Sequence, residues 1–357
     1  IKEAGYRVIG PREEQGQGGL VFREIAGVED LPCGLSDEQS PARYRLLSNG
    51  SERYFGWANT ASAIKPFVFA PRERLWRVVR RGGKLHFQAS RSHGGKTAII
   101  GVRACDLAAL AIQDTHFLRG RHVDPYYRRR RERLLLVAVN CSHAAETCFC
   151  VSTGDGPEVS GGYDILLDEL ENGFLVRHGS SRGAMILAHI ETIPASIEHL
   201  AIACAQNQLC RQQQRVLPEE SRLLELRQKL DHPQWDDIAE RCLACGNCTA
   251  DCPTCFCHRE FDTPTLDGKK SEHWRDADSC FNEDHSYIVG EVVRASTRSR
   301  YRQWMTHKLA NWIEQYGRTG CTGCGRCITW CPAGIDFVAE ARAILADAKP
   351  RDEGDES

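Results

Sequence analysis

A cysteine pattern that occurs twice in the C-terminal half constrains this chain more than any other feature. Each copy places four cysteines within eleven residues, spaced by two, two and three residues, and ends in Cys-Pro. The two sets are Cys242, Cys245, Cys248 and Cys252, and Cys321, Cys324, Cys327 and Cys331. Thiolates so close on one loop can all face a single iron–sulfur cube, and this run is typical of ferredoxins with [4Fe–4S] clusters. Structural zinc sites usually take their ligands as two separated pairs, so the pattern favours clusters and one-electron transfer.

The two runs are expected to exchange one ligand each. In two-cluster ferredoxins the fourth cysteine of each run binds the other cluster. The expected ligands of cluster 1 are therefore Cys242, Cys245, Cys248 and Cys331. The expected ligands of cluster 2 are Cys321, Cys324, Cys327 and Cys252. Segments that begin 79 positions apart, at 242 and 321, would be cross-linked through metal, so metal binding and folding should be linked.

Length, charge and cysteine content narrow the class of protein. A chain of 357 residues suits about two domains. A net charge of −2 argues against bulk attraction to nucleic acid or to anionic lipid. The longest apolar run, 134–139 (LLLVAV), is too short to span a membrane, and the visible start lacks a signal peptide. We therefore expect a cytoplasmic protein without membrane insertion or a nucleic-acid partner, in a compartment that keeps thiols reduced.

The first 231 residues are expected to form an α/β domain, because short apolar segments alternate with helical ones. The predicted strands are 76–79, 84–88, 97–102, 134–140, 165–167 and 174–177. Helices are predicted over 106–118 and 197–214, and the sheet is expected to be mostly parallel.

The remainder is expected to form an α-helical ferredoxin domain over 232–348. A connecting helix is predicted over 218–230, and further helices over 299–316 and 337–348. No strand pair is expected between the cysteine runs. The acidic end, 349–357, has no apolar residue to bury and is expected to be disordered.

A second group of thiols lies in the N-terminal part. Cys105 follows the predicted strand 97–102, and Cys141 follows 134–140. If these strands are parallel neighbours, both thiols emerge at the carboxyl edge of the sheet, where ligands usually bind. Cys148 and Cys150 could complete a site for a third [4Fe–4S] cluster or another metal. Ordinary packing of buried cysteine is the alternative.

Several segments together resemble the iron–sulfur β subunit of cytoplasmic NAD(P)-linked [NiFe] hydrogenases, also called sulfhydrogenases. They are 101–106 (GVRACD), 147–150 (TCFC), Tyr163-Asp164, 242–248 (CLACGNC) and 252–255 (CPTC). One of the subunits of anaerobic sulfite reductase has the same layout. The resemblance covers roughly 60–348 and implies that the chain conducts electrons between a partner subunit, which carries FAD and binds NAD(P), and catalytic subunits. It also favours the third cluster.

The chain has no motif of its own for the partners' chemistry. It has no Gly-x-Gly-x-x-Gly opening a helix, and the glycine-rich 15–19 (QGQGG) is predicted to have no strand before it. The paired Cys-x-x-Cys motifs of a nickel–iron centre are also missing. These observations predict a non-catalytic electron-transfer subunit of a hydrogenase, or alternatively of a sulfite or sulfur reductase.

The other cysteines have no assigned role in the sequence. Cys255, Cys257 and Cys280 lie near the first run together with His258 and His285, and are predicted to be either a sulfur-rich shell around the clusters or a further metal site. The cysteines without a partner pattern are Cys33, Cys204 and Cys210, and Cys204 is expected to be a small buried side chain on an apolar helix.

Overall fold

The largest sheet of the computed structural model, which describes residues 1–14, 18–62, 64–90 and 95–346, has six strands. Its strands in chain order are β1 (Arg7–Glu14), β2 (Gly19–Glu24), β7 (Thr97–Val102), β8 (Leu134–Val139), β9 (Ile165–Leu170) and β10 (Gly173–His178). The spatial order is β10-β9-β8-β7-β1-β2. The four strands at the centre pair in parallel, and only the two outer pairings are antiparallel. The predicted parallel sheet and the pairing of the strands before Cys105 and Cys141 are confirmed.

Burial explains why these central strands were visible in the sequence. Every residue of β8 is buried, which is typical of a parallel strand covered on both faces. The first helix, α1 (Ala104–Leu118), begins two residues after β7 and packs its apolar side chains on the sheet. The start of α1 therefore lies at the carboxyl edge of the sheet.

A second sheet joins the two halves of the chain. Its strands are β5 (Arg72–Arg81), β6 (Lys84–Ala89), β11 (His258–Pro264) and β12 (Lys270–Ala277), in the order β11-β12-β5-β6. The expectation of no strand pair between the cysteine runs is therefore wrong, and the C-terminal part is not purely α-helical. Only one residue of this hairpin, Arg275, is buried, so it lacks the apolar alternation that reveals a strand.

Two small hairpins complete the strands. They are β3 (Leu35–Ser40) with β4 (Arg43–Ser48), and β13 (Tyr287–Ile288) with β14 (Glu291–Val292). The glycine-rich segment 15–19 was predicted to have no strand before it, but β1 ends at Glu14. Since β2 begins at Gly19, a strand and not a helix follows, and the two strands are antiparallel.

The remaining helices lie mostly in the C-terminal part. They are α2 (Pro125–Glu132), α3 (Cys150–Thr153), α4 (Ser181–Leu187), α5 (Ile197–Cys210), α6 (Glu220–Leu224), α7 (Gln234–Arg241), α8 (Asn247–Ala250), α9 (Thr297–Thr306), α10 (Trp312–Tyr316), α11 (Arg326–Thr329) and α12 (Phe337–Leu345). A π-helical segment, His307–Asn311, separates α9 from α10. The helix predicted over 218–230 is shorter, because α6 passes into a 3₁₀ turn at Glu225–Arg227. The predicted disordered tail lies outside the described residues.

The helices of the C-terminal part surround an aromatic core. Trp235, Trp304 and Phe337 are buried there with Met305 and Phe281. Cysteines of both runs pack against the edge of this core, including Cys242, Cys248, Cys327 and Cys331. The cysteine loops therefore rest on a rigid apolar support. Among the described residues, no helix is long and apolar enough to cross a bilayer.

Candidate iron–sulfur centres

The first group of thiols lines one cavity. Its four members are Cys242, Cys245, Cys248 and Cys331, the set expected for cluster 1, and Cys327, expected to bind cluster 2, lines the same cavity. Burial, and after it the charges of Cys242, Cys331 and Cys245, raise the pKa of Cys248 well above its ordinary value. The fourth cysteine of the second run is therefore close to the first three of the first run, as the ligand exchange requires. Cys245 is exposed, so this group reaches the surface.

The loop of the first run depends on two residues with positive φ. Ala244 has φ 49° and Gly246 has φ 78°, so the chain reverses direction between the thiols before α8 begins. Backbone N–H groups then face sulfur: Ala244 donates to Cys242 Sγ over 3.4 Å, and Ile335 donates to Cys331 Sγ over 3.4 Å. Hydrogen bonds of this kind to cluster sulfurs tune reduction potentials.

The second group brings Cys252 to the first three cysteines of the second run. Burial, and then the charges of Cys321, Cys324 and Cys252, raise the pKa of Cys327 well above its ordinary value. Burial also raises the pKa of Cys321 to about 12. Buried thiols of this kind stay protonated unless a metal replaces the proton. In Cys252, by contrast, the neighbouring Cys255 thiol and the charge of Lys308 hold the pKa well below its ordinary value. The residues present therefore fit a cluster, which would bind all four sulfurs as thiolates.

A buried lysine lies beside the second group, and no sequence pattern marks it. Lys308, in the π-helical segment, is only 4% exposed. Its Nζ donates to Thr254 Oγ1 over 2.7 Å, to Gly320 O over 3.2 Å and to Cys252 Sγ over 3.4 Å. None of these contacts is a carboxylate, so the charge of Lys308 is available to stabilise an anionic cluster.

The N-terminal cysteines meet around Cys150. Cys105 and Cys150 pack against Cys324 of the second run. Burial, and then the charges of Cys150 and Cys141, raise the pKa of Cys148 well above its ordinary value. The structure thus brings the four predicted thiols together, and it places them next to the second group.

Two buried arginines accompany these thiols. Arg326 forms an ion pair with Asp106 at 2.8 Å, and both side chains are almost completely inaccessible. Arg103 donates to the carbonyl oxygens of Phe55 and Asn140, yet its Nε has no partner among the described residues. Its charge counteracts the rise that burial causes in the pKa of Cys141. The positive charge of Arg103 therefore favours the thiolate form of Cys141.

Two loops interlock between the N-terminal thiols and the second run. The N–H of Phe149 donates to Gly323 O over 2.9 Å. Gly323 has φ 63°, and a Cβ there would lie 2.5 Å from the Cys150 backbone. Asn59 Nδ2 also donates to Cys324 O over 3.0 Å. The loop of the second run is therefore shaped by N-terminal residues as well as by its own sequence.

The remaining thiols fall into two kinds. Cys255, Cys257 and Cys280 line a second cavity together with His258 and His285. The unassigned cysteines are Cys33, Cys204 and Cys210. Cys204 was expected to be buried, but it is exposed. Cys210 is buried, and its thiol donates to Cys141 O over 3.2 Å.

Within the described ranges, no three His, Cys, Asp or Glu side chains converge so as to hold one metal ion. In a [4Fe–4S] cluster each cysteine binds a different iron, so its ligands surround the cluster and do not meet at one point.

Two comparisons with known proteins agree with this picture. The 4Fe–4S dicluster domain family matches residues 241–335. The sulfhydrogenase 2 subunit beta of Pyrococcus furiosus is 29% identical over 304 residues, which cover 84% of this chain and 87% of that protein. No solved structure matches the chain. The matched domain implies two [4Fe–4S] clusters and electron transfer as its chemistry.

Proposed function

Since this chain is a homologue of a sulfhydrogenase β subunit, with a 4Fe–4S dicluster domain, we propose that it is the electron-transfer subunit of a cytoplasmic NAD(P)-linked [NiFe] hydrogenase. It carries electrons between a partner subunit that holds FAD and binds NAD(P) and the catalytic subunits. The observation that supports this proposal is the proximity of Cys331 to the first run and of Cys252 to the second.

The chain's own residues hold and tune the clusters. Cluster 1 is held by Cys242, Cys245, Cys248 and Cys331. Cluster 2 is held by Cys321, Cys324, Cys327 and Cys252. Cluster 1 lies at the surface, where Cys245 is exposed, whereas Cys321 and Cys324 are buried. This difference supports a path that leads from an interface with a partner into the protein.

A third cluster at Cys105, Cys141, Cys148 and Cys150 extends the path. The proximity of Cys105 and Cys150 to Cys324 supports it, since closely spaced clusters exchange electrons. The buried charge of Arg103 supports it as well, because thiolate-bound clusters are anionic, whereas the charge of Arg326 is compensated by Asp106. Asp106 pairs with Arg326 and keeps that guanidinium in place beside Cys105.

The complex that co-purifies with this chain tests the function. Purified anaerobically, it should contain nickel and flavin and should reduce NAD(P) with hydrogen gas. Siroheme in the catalytic partner, together with sulfite reduction, would contradict the hydrogenase assignment and favour the sulfite reductase alternative.

Iron analysis tests the third cluster. We expect Cys148→Ser to lower the iron content by about four atoms per chain, with the signals of the two dicluster centres retained in electron paramagnetic resonance (EPR). The matched control is Cys33→Ser, which changes an exposed thiol. An iron content in Cys148→Ser equal to that of the control would contradict the third cluster and show that the N-terminal thiols only pack in the protein interior.

A further inference from the structure

A cavity on the other side of Lys308 collects donors that the two dicluster centres do not use. It has a volume of about 280 Å³, and its lining includes Cys255, Cys257, Cys280 and His285. The first two thiols follow the first run directly, and the other two groups come from the segment after β12. A backbone hydrogen bond of 2.9 Å from Asp278 to Cys257 O holds these two segments together.

The donors lie close together. Cys257 is near enough to Cys280 and to His285 for both groups to lower its pKa. Cys255 is near enough to both other thiols for its charge to raise the pKa of Cys280. Three sulfur donors and one imidazole therefore face the same space.

The histidine is oriented as a metal ligand would be. His285 Nδ1 lies 3.1 Å from Asp278 Oδ2, and the carboxylate fixes the ring while the Cys257 contact engages it from the cavity. Histidine ligands of metals almost always have such a carboxylate, carbonyl or water partner on the second ring nitrogen. The other two histidines of the lining are engaged elsewhere: His307 accepts from Trp312 Nε1 over 2.9 Å, and His258 lies 3.2 Å from Phe256 O.

Two buried donors point to an acceptor that protein atoms do not supply. Arg294 Nε and Trp304 Nε1 are buried and have no hydrogen-bond partner among the described residues, and both side chains line this cavity. Buried polar groups are rarely left unpaired in proteins. Sulfide and thiolate sulfurs of an anionic cluster are acceptors that would satisfy such donors.

We propose that Cys255, Cys257, Cys280 and His285 bind a further [4Fe–4S] cluster, separate from both dicluster centres and from the N-terminal thiols. The donor set alone also suits zinc. The cluster is favoured because the cavity is far larger than one ion requires. Cys255 is near enough to Cys252 to lower the pKa of that thiol, so the new cluster would adjoin cluster 2. The proposal does not depend on which catalytic partner the chain serves.

Iron and acid-labile sulfide per chain test this site in the full-length protein, purified anaerobically. Cys257→Ser should lose about four irons and four sulfides relative to the control Cys204→Ser, which changes an exposed thiol. The loss should add to that of Cys148→Ser in the double variant. Unchanged iron and sulfide in Cys257→Ser would overturn the proposal, and so would the loss of one zinc per chain in their place.

A second variant keeps the test valid if Cys257→Ser does not fold. His285→Cys should retain all of the iron, whereas His285→Ala should lose it from this site or bind it weakly. The thiolate of His285→Cys adds negative charge, so the reduction potential of one cluster should fall while the EPR signals of the others stay unchanged. Potentials that are identical in His285→Cys and the parent protein would contradict ligation by His285.

Discussion

Lys308 places a buried positive charge beside Cys252. Its ammonium group is buried between Thr254, Gly320 and Cys252, and none of these contacts is a carboxylate. A buried cation usually has a paired anion. The anionic cluster that we propose Cys252 binds would supply this counter-charge, so Lys308 should make that cluster easier to reduce.

Lys308→Met should therefore lower the reduction potential of cluster 2. A unit charge several ångströms away in a medium of intermediate dielectric changes the potential by roughly 50–100 mV. A redox titration followed by EPR would measure the change.

Lys308→Arg should keep the potential near that of the parent protein, since it preserves the charge. Lys269→Met removes a charge that is 74% exposed and should have no effect on any cluster. Equal potentials in Lys308→Met and Lys269→Met would refute a tuning role for Lys308.

The residues of the site differ in how far the sequence reveals them. Cysteines two or three positions apart identify cluster ligands because the chelate geometry itself sets the spacing. No sequence motif identifies Lys308, because its contacts with Cys252 and Thr254 form only in the folded chain. In the sequence it is one polar residue among several in a segment with an ordinary helical pattern. Arg103 and Asp106 could not be recognised as buried charges for the same reason.

Among the structural elements, the loop 321–325 carries the closest contact of the two cysteine regions. Gly323 adopts φ 63° and lies against the backbone of Phe149 and Cys150, and Gly325, with φ 75°, lies against Thr147. Glycine is required at these two positions for its conformation and for the space that its missing side chain leaves.

Gly323→Ala should displace the loop from Cys150. A Cβ 2.5 Å from backbone atoms cannot be accommodated without a shift, and we expect a loss of about 2–4 kcal/mol in the free energy of unfolding. The iron of cluster 2 should be lost or become labile. Anaerobic urea denaturation and iron analysis measure the two effects.

Gly317→Ala is the matched control, since Gly317 has φ 73° but no atom within 4 Å of the added Cβ. Gly317→Ala introduces the same backbone strain without the clash, and it should lower the free energy of unfolding by about 1 kcal/mol. Equal losses in the two variants would show that the contact with Cys150 has no role.

Elements with an apolar pattern were predictable, and those without one were not. The strands β7 and β8 are largely apolar runs, so their positions followed from the sequence, whereas their parallel pairing was only a condition that the structure meets. The hairpin of β11 and β12 is half exposed and is stabilised by pairing with β5 and by Arg72 lying over Phe261 and Trp274. Strand β5 and Arg72 lie in the other half of the chain, so no local sequence pattern indicates this hairpin.

For the molecule as a whole, cluster binding should contribute to the free energy of folding. In the proposed ligand sets each cluster would tie the segment 242–252 to 321–331, and the aromatic core packs against cysteines of both segments. Because the unfolded chain has no preformed site, the free energy of cluster binding becomes folding free energy.

Removal of iron by a chelator under reducing conditions should therefore lower the melting temperature by roughly 10 °C or more. Differential scanning calorimetry would measure this change, and reconstitution with iron and sulfide should reverse it. A melting temperature that is the same with and without iron would show that the protein is stable independently of its clusters.

The sheet shared by the two halves has a consequence for the order in which the molecule is made. Strand β12 needs β5 as its neighbour, and the loop 321–325 needs the backbone of 147–150. Synthesis proceeds from the amino end, so both of these surfaces emerge from the ribosome before the second cysteine run exists. The N-terminal half then serves as a template on which the later segment folds, and we expect iron to be inserted last, into a site whose walls have already formed.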